Sequence, residues 1–354
     1  MDKKAKRFLQ TLLETPSPSG HEWVIQRTWL DFVKGFADDV QTDIMGNGIG
    51  ILNPDAPFKV VLAGHCDEIG FIITDIDDKG YLSFSKVGGI SPKIAPGMRI
   101  NVLGTHGSIT GVVGARAEHH GGLEDSIKFE QLYIDCGATS KEEMEEHVKV
   151  GDFAVYHRDP SFLLNNRIAA RGLDNRTGAF IVAEVLRRLS KKRPSSNVGI
   201  YAVSTVSEEI GLHGAYAAGA GIQPDMALVC DVTFATDHPG VDPKKHGNCK
   251  LDKGPVLAKG SPINPVINAK LEASAEALKI PLQYELTPSS TGTDGDRIRF
   301  TGKGVPIGLV SLPIRYMHSP VETASLVDLE QEIKLICHML QGLQGDEDLR
   351  PILP

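Results

Sequence analysis

The sequence lacks most of the features that mark secreted, membrane-spanning or nucleic-acid-binding proteins. Its 354 residues include only five cysteines, which are scattered and form no C-x-x-C pair, so neither a disulfide framework nor a thiolate zinc site is expected. No apolar run reaches the roughly 18 residues that a transmembrane helix needs. The formal net charge of −8 leaves no basic surplus for nucleic acid or an anionic membrane. We therefore expect a cytoplasmic protein without either partner.

Short motifs of other protein classes are missing too. The sequence contains no G-x-S-x-G turn for a nucleophilic serine and no G-x-x-x-x-G-K-[ST] loop for phosphate. The N-terminal segment has apolar residues at helical spacing instead of the continuous apolar stretch of a signal peptide. We expect it to form an amphipathic first helix of the mature protein.

Hydrophobic patterning predicts an α/β domain interrupted by a β-rich insertion. Buried-type strands alternate with helices, at residues 59–64, 176–191, 197–205, 212–220, 226–230, 265–278 and 305–310. This alternation is typical of a mainly parallel mixed sheet with helices on both faces. From about residue 71 to residue 158 the pattern changes to short β-like runs separated by Gly, Pro and Asp. The predicted domains are residues 1–70 plus 164–354, and a small β-rich domain at 71–163.

Histidines and carboxylates follow the ends of the predicted strands. In an open α/β sheet the carboxyl ends of parallel strands meet at one edge, where ligands bind. Five separate segments bring such side chains to that edge: His65 with Asp67, Asp174, Glu208 with Glu209, Asp231, and His318. Two imidazoles with several carboxylates suit a pair of divalent ions such as zinc or cobalt. A further carboxylate beside them could act as a general base.

Each of these residues also has an ordinary explanation. Glu208 and Glu209 could begin a solvated helix, Asp174 could cap a helix, and Asp231 could lie in a turn. His65 and His318 could be buried histidines with satisfied hydrogen bonds. All five segments would then have to place such residues at strand ends by accident, which favours the metal site.

Six motifs together resemble one family of enzymes. The segments GHCDEIG, GLDNRTG, SEEIGLHGA, DVTFATDHP, TGTDGDR and MHSPVE are similar, in this order, to the M42 family of metallo-aminopeptidases, which includes deblocking, glutamyl and tetrahedral aminopeptidases. The resemblance covers almost the whole chain and implies a zinc-peptidase-like fold and two metal ions per subunit. It implies that Asp174 bridges the metals, with a cis peptide bond to Asn175.

The resemblance also implies roles for the other site residues. His65 and Asp231 would complete the shell of one metal, and Glu209 with His318 that of the other. Glu208 would be the general base that takes a proton from the attacking water. Asp67 would lie behind His65 and accept its hydrogen bond. The implied reaction is the removal of N-terminal residues from short peptides.

The inserted β-rich segment resembles the dimerisation domain of this family, whose dimers commonly assemble into tetrahedral dodecamers. Residues 117–129 within it form a polar, glycine-containing stretch that we expect to be a mobile loop. His119 or His120 of this stretch could reach a neighbouring active site, a hypothesis that a double alanine variant tests.

Two other reaction classes remain open at this stage. A two-metal carboxypeptidase or N-acyl amino-acid deacylase would need a group for the free carboxylate of its substrate, and Arg297, Arg299 and Arg315 lie near the late motifs. A glycoside hydrolase such as an endoglucanase would need two carboxylates and no metal. The residue preferred at the peptide N-terminus does not follow from the sequence.

Overall fold

The computed structural model describes residues 1–122, 126–157 and 159–352, so residues 123–125 of the predicted mobile loop, and Arg158, lie outside the described residues. The strands are β1 (Asp39–Thr42), β2 (Gly48–Leu52), β3 (Phe58–His65), β4 (Gly70–Ile76), β5 (Leu82–Val87), β6 (Arg99–Gly104), β7 (Gly107–Val113), β8 (Ile134–Asp135), β9 (Phe153–Tyr156), β10 (Ser161–Leu163), β11 (Arg167–Ala170), β12 (Val198–Thr205), β13 (Met226–Phe234), β14 (Val256–Gly260), β15 (Gln283–Thr287), β16 (Ile307–Arg315) and β17 (Glu322–Ser325). The helices are α1 (Lys3–Glu14), α2 (Trp23–Val33), α3 (Lys141–Glu145), α4 (Leu173–Lys191), α5 (His213–Ile222), α6 (Pro243–His246), α7 (Pro265–Leu278), α8 (Gly295–Ile298) and α9 (Leu326–Gln341).

A large mixed sheet forms the frame of the molecule. Its strands follow the order β1-β2-β12-β3-β13-β16-β17-β11-β10, with β14 beside β16 and β15 beside β14. The central strands β12, β3, β13 and β16 are mutually parallel, whereas β1, β2, β17, β11 and β10 pair antiparallel with their neighbours. The predicted mixed sheet is therefore present, with its parallel part confined to the four central strands and the β14–β15 pair. Antiparallel neighbours such as β1 and β2 need only a tight turn, while parallel neighbours need a crossover.

Helices cover both faces of this sheet, as predicted. Successive side chains of β3 alternate between two cores: Val60 and Leu62 belong to one, and Val61 and Ala63 to the other. The first core also contains buried residues of α1, α2, α4, α7 and α9, and the second contains residues of α5 and α8. Two-sided burial explains why these strands are apolar throughout rather than alternating.

The β-rich region between β3 and β10 forms a closed barrel. Its strands pair in the order β4-β5-β8-β7-β6-β9, with β9 returning to β4. The barrel has its own buried core, in which Phe71 makes edge contacts with Phe84 and Tyr156. Strand β10, at the end of the predicted insertion, pairs with β11 of the large sheet. The exact domain boundaries stay a prediction. In the described part of the chain, no helix is long and apolar enough to cross a membrane.

Strand β3 and helix α4 approach each other closely beside the strand's carboxyl end. A Cβ atom on Gly64 would lie 2.4 Å from the backbone carbon of Gly178 and 2.7 Å from its carbonyl oxygen. Neither group is the end of a flexible side chain that could move aside. Since His65 follows Gly64 and Asp174 lies at the start of α4, this contact sets the separation of the two residues.

Replacing Gly64 by alanine should push β3 away from α4. We expect Gly64→Ala to lower the free energy of unfolding by about 1–3 kcal/mol or more, as overpacking of a core does. Urea denaturation followed by circular dichroism measures the change. Gly221 on α5 is the matched control, because a Cβ there would meet nothing within 4 Å. Gly221→Ala should be neutral or slightly stabilising; equal midpoints for the two variants would contradict the argument.

Candidate active site

The five predicted metal ligands lie together at the carboxyl edge of the central strands. The Nε2 atom of His65, the last residue of β3, lies 3.3 Å from Oδ1 of Asp174 and 4.0 Å from Oδ1 of Asp231. The Nε2 atom of His318 lies 3.3 Å from Oδ2 of Asp174 and 3.5 Å from Oε2 of Glu209. Each oxygen of Asp174 therefore faces a different histidine. The candidate ligand atoms of His65, Asp174 and Asp231 lie within 4.8 Å of one another, and so do those of Asp174, Glu209 and His318.

The hydrogen bonds of the two histidines leave their Nε2 atoms free to bind a cation. Nδ1 of His65 lies 3.1 Å from the backbone oxygen of Asp67 and 3.3 Å from its Oδ1. Nδ1 of His318 lies 2.9 Å from the backbone oxygen of Gly89. A proton on each Nδ1 can therefore be donated to a carbonyl, which leaves a lone pair on Nε2. Gly89 belongs to the segment between β5 and β6, so the insertion contributes to the site.

Asp67 lies behind the cluster and holds the Glu208-Glu209 segment. Its carboxylate accepts hydrogen bonds from the backbone N–H groups of Glu208 at 3.1 Å and Glu209 at 3.2 Å. The hydroxyl of Ser19 donates a third bond to it at 2.6 Å. Asp67 is fully buried and thus links the strand that ends in His65 to the loop after β12. The predicted contact with His65 is present, but the hydrogen bonds to the backbone of Glu208 and Glu209 did not follow from the sequence.

The ordinary explanations for the four carboxylates do not describe the structure. Glu208 and Glu209 precede α5 by several residues, and their side chains are only 10% and 6% exposed. Asn175 rather than Asp174 performs the capping, because its Oδ1 accepts a hydrogen bond from the N–H of Gly178. Asp231 lies inside strand β13 instead of in a turn. The peptide bond between Asp174 and Asn175 is cis.

Glu322 is a site residue that the sequence argument missed. Its two carboxylate oxygens accept hydrogen bonds from the backbone N–H of Asp174 at 3.0 Å and of His318 at 2.8 Å. It thereby ties together two segments that are distant in the chain. The residue was present in the MHSPVE motif, but spacing alone gave no reason to separate it from an exposed turn residue.

Negative charge is crowded throughout the cluster. Burial, together with the charges of Asp231, Asp294 and Glu209, raises the pKa of Glu208 to about 10 against the influence of His65. Burial and the charge of Asp174 also raise the pKa of Glu209 well above its usual value. Oε1 of Glu209 is buried and has no hydrogen-bond partner in the described structure. Divalent cations would supply the missing positive charge and favour the ionised carboxylates. The donor set therefore fits a metal centre.

The cluster opens into a cavity of about 320 Å³ whose wall contains Glu208, Thr233, Glu285, Leu309 and Met317 in addition to the candidate ligands. None of the three arginines suspected from the sequence is among its lining residues. Arg315 is held by the carboxylate of Asp237 at 2.7 and 2.8 Å, and Arg297 and Arg299 line other surface hollows. Cys66 and Cys230, which flank candidate ligands, are buried free thiols, as expected.

A buried ion cluster connects the segment that follows His65 to the segment around Asp174. Glu68 pairs with Arg171 at 2.5 and 2.6 Å and also with Arg176. Its Oε1 additionally accepts a hydrogen bond from the backbone N–H of Ser17. All three charged side chains are at most 5% exposed. The two arginines flank the Asp174 segment, so the cluster fixes it against the segment that begins at His65.

An α/β sheet that gathers histidines and carboxylates at the carboxyl edge of its parallel strands is the arrangement of a metal-dependent hydrolase. The family model for M42 glutamyl aminopeptidase matches residues 46–335. The chain is 35% identical to a lysyl aminopeptidase of Pyrococcus furiosus, over 95% of this chain and 97% of that protein. The chain therefore belongs to the M42 aminopeptidase family, and it is a peptide hydrolase.

Solved structures support the same assignment. A TET aminopeptidase from a marine-sediment thaumarchaeon superposes with a TM-score of 0.90 at 32% identity, over 96% of this chain and 97% of that one. The TET1 peptidase of Pyrococcus horikoshii, described as able to assemble into a tetrahedron or a large octahedral shell, gives a TM-score of 0.84 at 33% identity, over 96% of this chain and 100% of that one.

Removing the charge of Glu68 should destabilise the protein strongly, because two buried guanidinium groups would lose their anionic partner. We expect Glu68→Gln to cost about 3–5 kcal/mol in the free energy of unfolding. The control is Glu145→Gln, which weakens a pair with Lys141 whose side chains are 53% and 40% exposed. That change should cost no more than about 1 kcal/mol. Chemical denaturation measures both, and a cost for Glu68→Gln as small as the control's would refute the role of the buried cluster.

Proposed function

We propose that the chain is a two-metal aminopeptidase that removes N-terminal residues from short peptides. The observation that carries the proposal is the position of Asp174, whose two oxygens each lie 3.3 Å from the Nε2 atom of a different histidine. A carboxylate in this position can serve two neighbouring ions at once. The conserved chemistry of the family, an aminopeptidase with divalent metal dependence, agrees with this arrangement.

The proposed ligand sets share Asp174. His65 and Asp231 would hold one ion, and Glu209 and His318 would hold the other. Ions held by these residues would polarise the carbonyl of the scissile peptide bond and lower the pKa of water. Zinc and cobalt both suit imidazole and carboxylate ligands, and we propose that either supports the reaction.

Glu208 is proposed as the general base. Its carboxylate lines the cavity and lies 3.7 Å from Nε2 of His65, next to the proposed ions but outside both ligand sets. From this position it can accept a proton from the attacking water and pass it to the leaving amine. Asp67 is a positioning residue, because it orients His65 and fixes the backbone of Glu208 through hydrogen bonds.

We propose that the barrel serves as a dimerisation domain, and that dimers build a tetrahedral dodecamer in the cytoplasm. Support comes from the TET1 peptidase of Pyrococcus horikoshii described above, which can assemble into a tetrahedron. A closed shell would admit short or unfolded peptides and exclude folded proteins. The family is named for glutamyl aminopeptidase, whereas the Pyrococcus furiosus relative is a lysyl aminopeptidase, so the residue removed differs among these proteins.

The first test compares substrate classes and metal dependence. We expect cleavage of leucine or lysine p-nitroanilide, no release of leucine from N-acetyl-leucine, and no cleavage of carboxymethyl cellulose. A chelator should abolish the peptidase activity, and zinc or cobalt should restore it. Activity toward N-acetyl-leucine alone would favour a deacylase, and chelator-resistant cleavage of the glucan would favour a glycosidase. No arginine is among the described residues of the cavity wall, which speaks against binding a free substrate carboxylate.

The two adjacent glutamates should respond differently to neutralisation. Glu208→Gln removes the proposed base and should lower kcat by about 100-fold or more while both metals remain bound. Glu209→Gln removes a proposed ligand and should lower the metal content measured by mass spectrometry. Glu276→Gln on the exposed side of α7 is the control for a change in net charge and should behave as the wild type. Full activity of Glu208→Gln with intact metal content would overturn its assignment as the base.

A further inference from the structure

A carboxylate that belongs to neither proposed ligand set lies in the wall of the active-site cavity. Glu285, on strand β15, lines the same cavity as Asp174 and Glu208. Its Oε2 accepts a hydrogen bond from the hydroxyl of Thr233 at 2.5 Å, and its Oε1 accepts one from the hydroxyl of Ser311 at 2.8 Å. The two hydroxyls fix the carboxylate in one orientation. An ionised carboxylate can accept about four hydrogen bonds, so acceptor capacity remains on both oxygens.

No cation of the described structure neutralises this charge. Within the described ranges no lysine, arginine or histidine lies within ion-pair distance of Glu285, whereas the carboxylates of Glu68 and Asp237 are each paired with arginine. Burial raises the pKa of Glu285, against the two hydroxyl donors, which lower it. A half-buried acid in an open cavity, held by neutral donors only, is suited to receive a cation from a ligand.

The two donors place Glu285 close to the metal ligands. Its donor Thr233 follows Asp231 by two residues on β13, so the two side chains point to the same face about 7 Å apart. Its other donor, Ser311, is the register partner of Asp231 on β16. The carboxylate is therefore held by two neighbours of Asp231, one along the same strand and one across the sheet. A four-carbon stem with a terminal ammonium spans a separation of about 7 Å.

The cavity wall offers apolar surface to the stem of such a side chain. Phe234 and Met317 are accessible and line the cavity, and none of the described residues in its wall is an arginine or lysine that would attract an acidic side chain. A lysine or arginine side chain could thus lay its methylene groups along these apolar residues and bring its charge to Glu285. A glutamate side chain would instead meet an uncompensated negative charge.

We infer that Glu285 is the specificity residue for the first side chain of the substrate, and that the enzyme prefers peptides that begin with lysine or arginine. This inference rests on the proposed aminopeptidase function and names the substrate class of that same site. Glu285 binds the substrate and takes no part in bond cleavage.

The test measures kcat/KM for p-nitroanilides of lysine, arginine, norleucine, leucine and glutamate. Norleucine has the unbranched stem of lysine without the ammonium group, so the wild-type ratio of lysine to norleucine isolates the charge. We expect this ratio to exceed about tenfold and glutamate to be the poorest substrate. In Glu285→Gln, which keeps the shape of the side chain, the lysine-to-norleucine ratio should fall by about 10–100-fold. The surface variant Glu276→Gln should keep the wild-type ratio.

The possible failures are distinguishable. If no aminoacyl substrate is cleaved, the proposed function itself is wrong. If norleucine is cleaved as well as lysine by the wild-type enzyme, only the specificity inference is overturned, and this comparison needs no variant to fold. If Glu285→Gln lowers lysine and norleucine cleavage equally, Glu285 holds the α-ammonium group or the fold rather than the first side chain, and the inference is again overturned.

Discussion

The mutual repulsion of buried carboxylates is the constraint on which the rest of this structure depends. Asp174, Glu208, Glu209 and Asp231 are brought within a few ångströms of two histidines at the end of a buried sheet. Protein burial disfavours each of these charges, and their proximity disfavours them further. The two histidines hold the pKa of Asp174 below its usual value, whereas the pKa values of Glu208, Glu209 and Asp231 are raised. Cations between these carboxylates would favour their ionised forms. The surrounding structure must therefore hold the ligands apart and aligned before those cations arrive.

Three sets of hydrogen bonds and ion pairs around the cluster hold the ligands in position. Asp67 fixes the Glu208-Glu209 backbone, and Glu322 fixes the backbones of Asp174 and His318. The Glu68 ion cluster joins the segments on either side, and both of its cations are guanidinium groups, which stay charged at physiological pH. Each of these sets positions a segment of the backbone and does not contact a reacting atom. This explains why the site can be rigid although its ligands come from five separate segments.

The parts of the fold that follow from local pattern were predictable from the sequence. The buried central strands and the helices after them carry strong periodicity, and the ligands at their ends follow from the geometry of parallel sheets. The antiparallel edges and the closure of the barrel depend on long-range pairing, which short strands such as β8 and β10 do not encode alone. Glu322 and Gly89 were missed for the same reason, because each accepts a hydrogen bond from a residue far away in the chain, Asp174 and His318 respectively.

Glu285 illustrates a second limit of sequence reasoning. A single glutamate in the polar segment Gln283–Thr287 is indistinguishable from a solvated strand residue, since β15 is reached only through β14 at the side of the main sheet. The surroundings of Glu285 distinguish it from the other carboxylates of the cavity. Those carboxylates face histidines and the space proposed for metal ions, whereas Glu285 accepts hydrogen bonds from two hydroxyl groups. The carboxylates at this sheet edge therefore form two groups. One group is suited to resident cations that perform the chemistry, and the other is left for a cation that arrives with the substrate and leaves with the product.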